Sequence, residues 1–341
     1  MSKLNILQIN SQHKRAANAA ILQEIVDKNI DLALIQEPYI NRHSGKIPSI
    51  PRGFTQVHNG VSAKAAIILK QSLKSFCLTQ TDNMASVMLS CNGLGRIVVA
   101  SVYCPAAQDA VPLELRDLVE RESVRSRLII GADTNCHSVQ VGYVTSDRRA
   151  EIWDDFVVIA RLVLHNEPHI ITFKNSRNST SSIDWTISDN DTANRIESWK
   201  VDSEAVCLSD HLPIRFSLQI DDSEEPDTGA KLNYNQVDWN RFRASLSEQL
   251  KPYIKIAPDS PDEHQIDTAV EFVQDALNNT IKECVPRNAE VRFKNKWWNK
   301  KLNTMRSKVR RAQKHKSQDC NQLKHQYELM IHEAKSKAWN K

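Results

Sequence analysis

The first 220 residues alternate short apolar runs with amphipathic segments, and several runs end in a polar or charged side chain. Short buried strands separated by helices and turns restrict this part to a mixed α/β sheet architecture. Residues 3–9, 31–35, 65–69, 85–89, 97–103, 128–132, 182–187 and 213–220 read as strands. Residues 16–28, 112–124 and 148–159 read as helices. In the first of these Ile21, Leu22, Ile25 and Val26 form one stripe. Asn59-Gly60 and Asn92-Gly93 supply hairpin-turn chemistry.

Composition then shifts. The segment "DDSEEPDTGA", residues 221–230, is acidic, holds Pro and Gly, and has no large apolar group, so it reads as a linker. Beyond it residues 239–250, 266–285 and 297–339 read as helical. The expected organisation is an α/β domain over 1–222, an acidic linker over 223–232 and a helical, finally basic region over 233–341. From Arg287 to Lys341 there are sixteen Lys/Arg against four Asp/Glu, net +12; the remainder carries 29 basic and 37 acidic residues, net −8. A basic tail on an acidic body fits contact with a polyanion, and fits a solvated helix face equally well. No apolar run approaches the roughly 20 residues of a membrane span, so no membrane partner is expected. The seven cysteines are scattered without a Cys-x-x-Cys pair, and the N-terminus has no signal-peptide stretch. Reduced thiols in an intracellular protein are the expectation.

The polar residues at strand ends carry the chemistry. "LQIN" ends in Asn10, "LALIQEP" in Glu37, "VVASVYCP" in Tyr103 and "LIIGADTN" in Asp133 and Asn135. "SSIDWTI" holds Asp184 inside a strand pattern, and "CLSDHLPI" presents Asp210 and His211 at a strand start. Each has an ordinary alternative. Asn10 alone reads as a turn residue, Tyr103 as a half-buried sheet tyrosine, and Asp133 with Asn135 as an Asx turn or helix cap. Asp184 is the hardest to dismiss, since a carboxylate between Ile183 and Trp185 needs a charged or hydrogen-bonding partner. His211 suits it, and the pairing would favour imidazolium.

Together these residues match phosphodiester hydrolysis. Oxygen donors from Glu37, Asn10 and Asp210 suit Mg²⁺, with Mn²⁺ as a substitute. Asp133 can orient or deprotonate the attacking water, with Asn135 holding it or the phosphate. His211, charged through Asp184, can donate to a non-bridging oxygen beside Tyr103.

Six segments, "LNILQIN", "LALIQEP", "SVYCP", "IIGADTNCHS", "SSIDWTIS" and "SDHLPI", fall in the order seen in the endonuclease/exonuclease/phosphatase superfamily. The pattern resembles the apurinic/apyrimidinic-endonuclease-like domain of jockey- and R1-type non-LTR retrotransposons, over about residues 3–220. The resemblance implies a four-layer α/β sandwich of the DNase I type, followed by a helical basic extension. It implies metal ligation at Glu37, Asn10 and Asp210, and catalytic roles for Tyr103, Asp133, Asn135, Asp184 and His211; His13 and Ser138 are expected near the rim. The tail "KWWNKKLNTMRSKVRRAQKH" looks like the segment leading to a reverse transcriptase, which is expected in cis in a full-length protein. Two positions depart from the family pattern. Thr134 stands where an apolar residue is usual, and Val141-Gly142 stands where Trp-Gly is common.

The expected function is a Mg²⁺-dependent endonuclease that nicks DNA and leaves a 3′-hydroxyl to prime reverse transcription. Arg42, Lys46, Arg52, Lys174 and Arg177, in or beside loops 41–51 and 175–180, are the expected phosphate contacts; loop 105–111 is a third determinant of target choice. Element RNA is a further partner for the tail, and the expected location is the nucleus. Two alternatives stand: a catalytically decayed nucleic-acid-binding remnant, in which Trp297, Trp298 and Trp339 stack on bases, and an abasic-site repair endonuclease.

Overall fold

In a computed structural model of the chain, residues 2–91, 94–107, 111–123, 126–220, 236–256, 263–286 and 297–339 are described. The elements run β1 (Ser2–Asn10), α1 (Arg15–Asp27), β2 (Leu32–Gln36), β3 (Phe54–Val57), β4 (Ala65–Lys70), β5 (Ser75–Gln80), β6 (Met84–Cys91), β7 (Gly95–Tyr103), α2 (Leu113–Glu122) and β8 (Arg127–Asp133). They continue with α3 (Arg148–Ile159), β9 (Leu162–Leu164), β10 (Phe173–Lys174), β11 (Thr180–Ser181), β12 (Asp184–Asp189), α4 (Asn190–Ala193), β13 (Ile196–Val201) and β14 (Ile214–Ile220). The helices α5 (Trp239–Ile256), α6 (Glu263–Cys284), α7 (Lys300–Lys314) and α8 (Cys320–Trp339) follow. The expected linker over 223–232 lies outside the described residues, as do Asn92-Gly93 and part of loop 105–111.

Two six-stranded sheets form the body, ordered β13-β14-β1-β2-β4-β3 and β5-β6-β7-β8-β12-β9. Within them β1–β2 and β7–β8 are parallel and the remaining pairs antiparallel. The sheets face each other across an apolar layer that includes Leu4, Ile6, Leu32 and Leu34 on one side and Ile97, Val99 and Ile129 on the other. Helix α1 covers the outer face of the first sheet. Helices α2 and α3 cover that of the second, with Trp153 and Trp185 fully buried. This is the four-layer sandwich.

Because side chains alternate across a strand, the residues that follow Leu4–Ile6 on the inner face of β1 are Gln8 and Asn10. On β2 the next inner residue after Leu34 is Gln36. On β7 they are Ser101 and Tyr103, on β8 Gly131 and Asp133. Near the strand ends the inner layer therefore turns from apolar to polar. Gln8 Nε2 donates to Trp185 O at 3.1 Å, and Thr186 Oγ1 donates to Gln8 Oε1 at 2.9 Å. Gln36 Nε2 donates to Ser101 Oγ and Gly131 O, both at 3.0 Å. These bonds join the two sheets. They require close approach at Gly131, where a Cβ would sit 2.7 Å from Leu34 Cδ1 and 2.9 Å from Gln8.

The C-terminal helices divide differently from the single region expected over 233–341. Residues 227–292 form one compact unit, and residues 293–341 pack with residues 1–226. In the first unit α5 runs through Pro252, beyond the expected stop at Leu250, and Arg241 pairs with Glu283 on α6 at 3.5 Å. In the second, α7 presents Leu302, Met305 and Val309 at helical spacing, and these pack with Trp297, Tyr327, Ile331, Ala19 and Val206. Helix α1 is buried at every position from Ala16 to Ile25 because α7 and α8 cover the side the sheet does not. Arg306 reaches Glu24 at 3.4 Å and Asp27 at 2.6 Å, and Glu24 is only 4 % exposed. Part of the tail's positive charge thus neutralises acids of α1. Among the described residues no helix is long and apolar enough to cross a membrane.

Arg306→Met should destabilise the unit by about 1–3 kcal/mol, because it strands a buried carboxylate. Adding Glu24→Gln should recover part of that loss. Urea midpoints of the single and double variants check this, and equal midpoints for wild type and Arg306→Met would remove the pair as a stabilising contact.

Candidate active site

The polar ends of the strands converge on one rim between the sheets. Tyr103 and Asp133 are paired neighbours in the parallel β7–β8 ladder, and Asp133 faces Asp184 across the antiparallel β8–β12 ladder. The other sheet supplies Asn10 at the end of β1, Glu37 just past β2, and His211 three residues before β14. Two hydrogen bonds close the gap. Asn10 Nδ2 donates to Asp133 Oδ2 at 2.7 Å. His211 Nδ1 lies 2.9 and 3.0 Å from the two oxygens of Asp184. The His211 ring is steadied edge-on by Phe173 at 4.9 Å, and its backbone forms a bridge with that residue.

Burial and charge set the protonation states. Burial alone would lower the His211 pKa; the Asp184 carboxylate and its hydrogen bond, then Asp133 and Glu37, overcome this and raise it to about 9. His211 is an imidazolium at neutral pH, with Nδ1 donating. Asp133, 1 % exposed, is pushed above the ordinary carboxylate range by burial and by the charge of Asp184, against the opposing pull of His211 and Asn10. The Tyr103 phenol is held protonated by burial and by its charged, hydrogen-bonded neighbour Glu37. Asn135 takes a left-handed backbone (φ 49°), with its amide donating to Cys104 O at 3.0 Å. Asn accepts that conformation more readily than most residues.

Two of the expected metal donors have other partners. Asn10 Oδ1 accepts the Gln12 N–H at 2.7 Å while its amide nitrogen serves Asp133. Asp210 stands on the outer side, 3.9 Å from Lys14, with its N–H donating to Gln12 Oε1 at 2.9 Å. Glu37 is open on one side and has His13 at 3.8 Å. One ligating atom each of Asp133, Asp184 and His211 lies within 4.8 Å of the others. That trio is already closed by the Asp184–His211 contacts, which a cation there would have to break. The donor set as a whole nonetheless fits a hard cation. Glu37, Asp133 and Asp184 are three carboxyl groups beside one buried imidazolium, and burial first, then the charge of Asp184, raises the proton affinity of Asp133. Oxygen donors with uncompensated charge suit a divalent ion of the Mg²⁺ type.

Sequence reasoning missed Gln12. It binds Asp210 N, Ser209 Oγ and Lys14 Nζ through its carbonyl and so fixes the loop before β14. Its left-handed backbone (φ 52°), shared with His13, carries no glycine mark in the sequence. Ser138 lies on the loop after Asn135 and donates to Asp154 on α3. Of the expected nucleic-acid contacts, Arg42 and Lys46 are exposed on a loop closed by the Asn41–Lys46 bridge. Lys174 and Arg177 are exposed on the β10–β11 hairpin, which His211 joins through Phe173, and Arg52 is exposed beyond loop 41–51.

The two-sheet sandwich, with these polar residues on its rim, is similar in fold to endonucleases of the endonuclease/exonuclease/phosphatase type. Residues 97–215 match the family described as "Endonuclease-reverse transcriptase". The chain is similar in structure to the endonuclease domain of TRAS1, a telomere-specific non-LTR retrotransposon: TM-score 0.55, 27% identity, covering 64% of this chain and 99% of that one. The fold also matches the AP endonuclease LMAP of Leishmania major (TM-score 0.53, 12% identity, 64% and 88% covered) and the catalytic domain of Xenopus laevis APE2 (0.50, 15%, 65% and 94%). No curated protein gives a significant match.

An NMR titration of the His211 ring should give a pKa of about 9 in the wild type. In Asp184→Asn it should fall toward the ordinary 6.5, since burial persists while the largest opposing charge is gone. An unchanged titration would rule Asp184 out as the source of the charge.

Proposed function

We propose that the chain is a divalent-cation-dependent nuclease that nicks one strand of DNA and leaves a 3′-hydroxyl able to prime reverse transcription. The observation that carries this is the buried Asp184–His211 imidazolium set beside Asp133, bridged across the sheets by Asn10. Asp133 takes a proton from the attacking water, whose oxygen forms a new bond to phosphorus. The P–O3′ bond breaks with its electron pair going to the 3′ oxygen, which takes a proton from solvent water, while Asp133 returns its proton to solvent. His211, and Tyr103 beside it, donate hydrogen bonds to the charge that builds on the non-bridging oxygens. Asn135 orients the water or the phosphate. Glu37, with Asn10 and Asp210 nearby, would hold the cation, which when bound polarises the phosphate and stabilises the leaving oxygen. Magnesium is the proposed ion and manganese its substitute.

Arg42, Lys46 and Arg52 from one loop region and Lys174 and Arg177 from the hairpin would contact backbone phosphates. A reverse transcriptase in cis, element RNA on the exposed basic face of α7, and a nuclear location belong to the same proposal.

The test is nicking of supercoiled plasmid with Mg²⁺ and with EDTA. Nicking should require the metal and fall about 10²–10³-fold in Asp133→Asn and His211→Ala, with DNA binding retained. A polymerase should extend the nicked end directly. Activity should rise with pH as Asp133, whose pKa is raised, loses its proton. It should fall again above about 9, where His211 is deprotonated. Equal nicking by wild type and both variants would sink the assignment. Binding lost only on deletion of 297–341 would favour the nucleic-acid-binding remnant.

A further inference from the structure

A buried cation lies beneath the rim, and among the described residues its polar contacts are backbone carbonyls. Arg149, in the first turn of α3, is 9 % exposed. Its Nη2 donates to Thr134 O at 2.9 Å and lies 3.5 Å from Cys104 O; Nη1 is 3.4 Å from Ala106 O. Its Nε is buried without a partner. A guanidinium in this setting is expensive, so what it holds matters.

It holds the loops that leave β7 and β8 beside Tyr103 and Asp133. Thr134 is fully buried, so its carbonyl needs a donor, and Arg149 supplies it. The Cys104 carbonyl is shared between Arg149 and the Asn135 side-chain amide. Cys104 N in turn donates to Asp133 O at 2.9 Å. The same end of α3 grips the next residues. Asp147, its N-cap, accepts from His137 N at 3.0 Å and from Ala150 N at 2.8 Å, and Ser138 Oγ donates to Asp154 at 2.8 Å. The left-handed turn at Asn135 thus has a rigid helix end behind it, and the fork of Arg149 ties that end to both catalytic strands at once.

We infer that Arg149 is a positioning residue of the hydrolytic site, fixing the Thr134 and Cys104 carbonyls so that Asn135 is presented beside Asp133. The inference rests on the rim being hydrolytic. Its guanidinium touches neither substrate nor reacting atoms.

The test uses the full chain carrying Arg149→Met, which keeps most of the side-chain volume, and Arg149→Ala. For plasmid nicking, kcat in Arg149→Met should fall about 10- to 100-fold through misplacement of Asn135, while KM stays within about twofold. Millimolar guanidinium should restore part of the activity of Arg149→Ala, and urea at equal concentration should not. Backbone amide exchange should quicken over residues 134–138 and stay unchanged over β12. Should Arg149→Met fail to fold, Arg149→Lys, which keeps the charge but reaches one carbonyl, is read by the same measures. A folded variant with unchanged kcat, or a guanidinium effect that urea reproduces, overturns the inference. If the wild type does not nick at all, the proposed function fails and this inference with it, whereas unchanged kcat and unchanged exchange over 134–138 in a folded variant of a nicking wild type overturn the inference alone.

Discussion

The hydrogen-bonded seam between the two sheets is what the site depends on. Gln8 and Gln36 reach from one sheet to the carbonyls of Trp185 and Gly131 on the other. One register step further along the same inner faces stand Asn10, Tyr103 and Asp133. An apolar layer alone holds two sheets together but specifies their relative slide weakly, whereas buried amides are satisfied at one offset only. The rim contacts that cross the sheets, Asn10 to Asp133 and His211 to Asp184, tolerate little error in that offset. The seam explains how a site assembled from two independent sheets keeps its hydrogen-bond geometry. Gly131 belongs to the same constraint, since a Cβ there would meet the ends of Leu34 and Gln8 at 2.7 and 2.9 Å and displace an amide of the seam.

Much of this was legible in the sequence, for a physical reason. Strand ends deliver side chains to a rim, so polar residues closing apolar runs mark a candidate site, and the structure brings Tyr103, Asp133, Asp184 and His211 together on one rim with Glu37 beside them. The period of two also places Gln8 and Gln36 on the inner face, a signal available in "LNILQIN" and "LALIQEP" that strand-end reasoning passes over. Gln12 was not legible, because its role follows from a left-handed backbone pair that brings it under the Asp210 loop. Nor was Arg149, whose partners are backbone carbonyls distant in sequence. The stripe of Leu302, Met305 and Val309 on α7 is visible, but its partner is not. Only the structure assigns it to the exposed side of α1 and so joins the basic tail to the nuclease unit rather than to the helices before it.

That docking changes what the tail's charge means. Arg306 is committed to Glu24 and Asp27, Arg310 lies 4.0 Å from Glu24, and Lys314 approaches Glu204 at 3.6 Å. What is left for a polyanion is the opposite face of α7, with Lys301, Lys308 and Arg311 exposed. The sequence total of +12 overstates the field a nucleic acid would meet.

The rim itself poses the opposite problem. DNA carries its charge in phosphates, and the site that would cut it holds three carboxylates. A phosphate can settle there only if positive charge is supplied at the point of contact and along its approach. At the point of contact, the imidazolium of His211 supplies one charge, and a divalent ion at Glu37 would supply two more. Along the approach, the phosphate contacts proposed on the loop bearing Arg42 and Lys46 and on the hairpin bearing Lys174 and Arg177 would supply cations that are exposed to solvent, where salt screens them. On the proposed function, the chemistry would be set by buried groups that salt scarcely reaches, and the affinity by exposed ones that it does. Binding and hydrolysis in this domain should respond to ionic strength to different degrees, with the binding step carrying nearly all of the dependence.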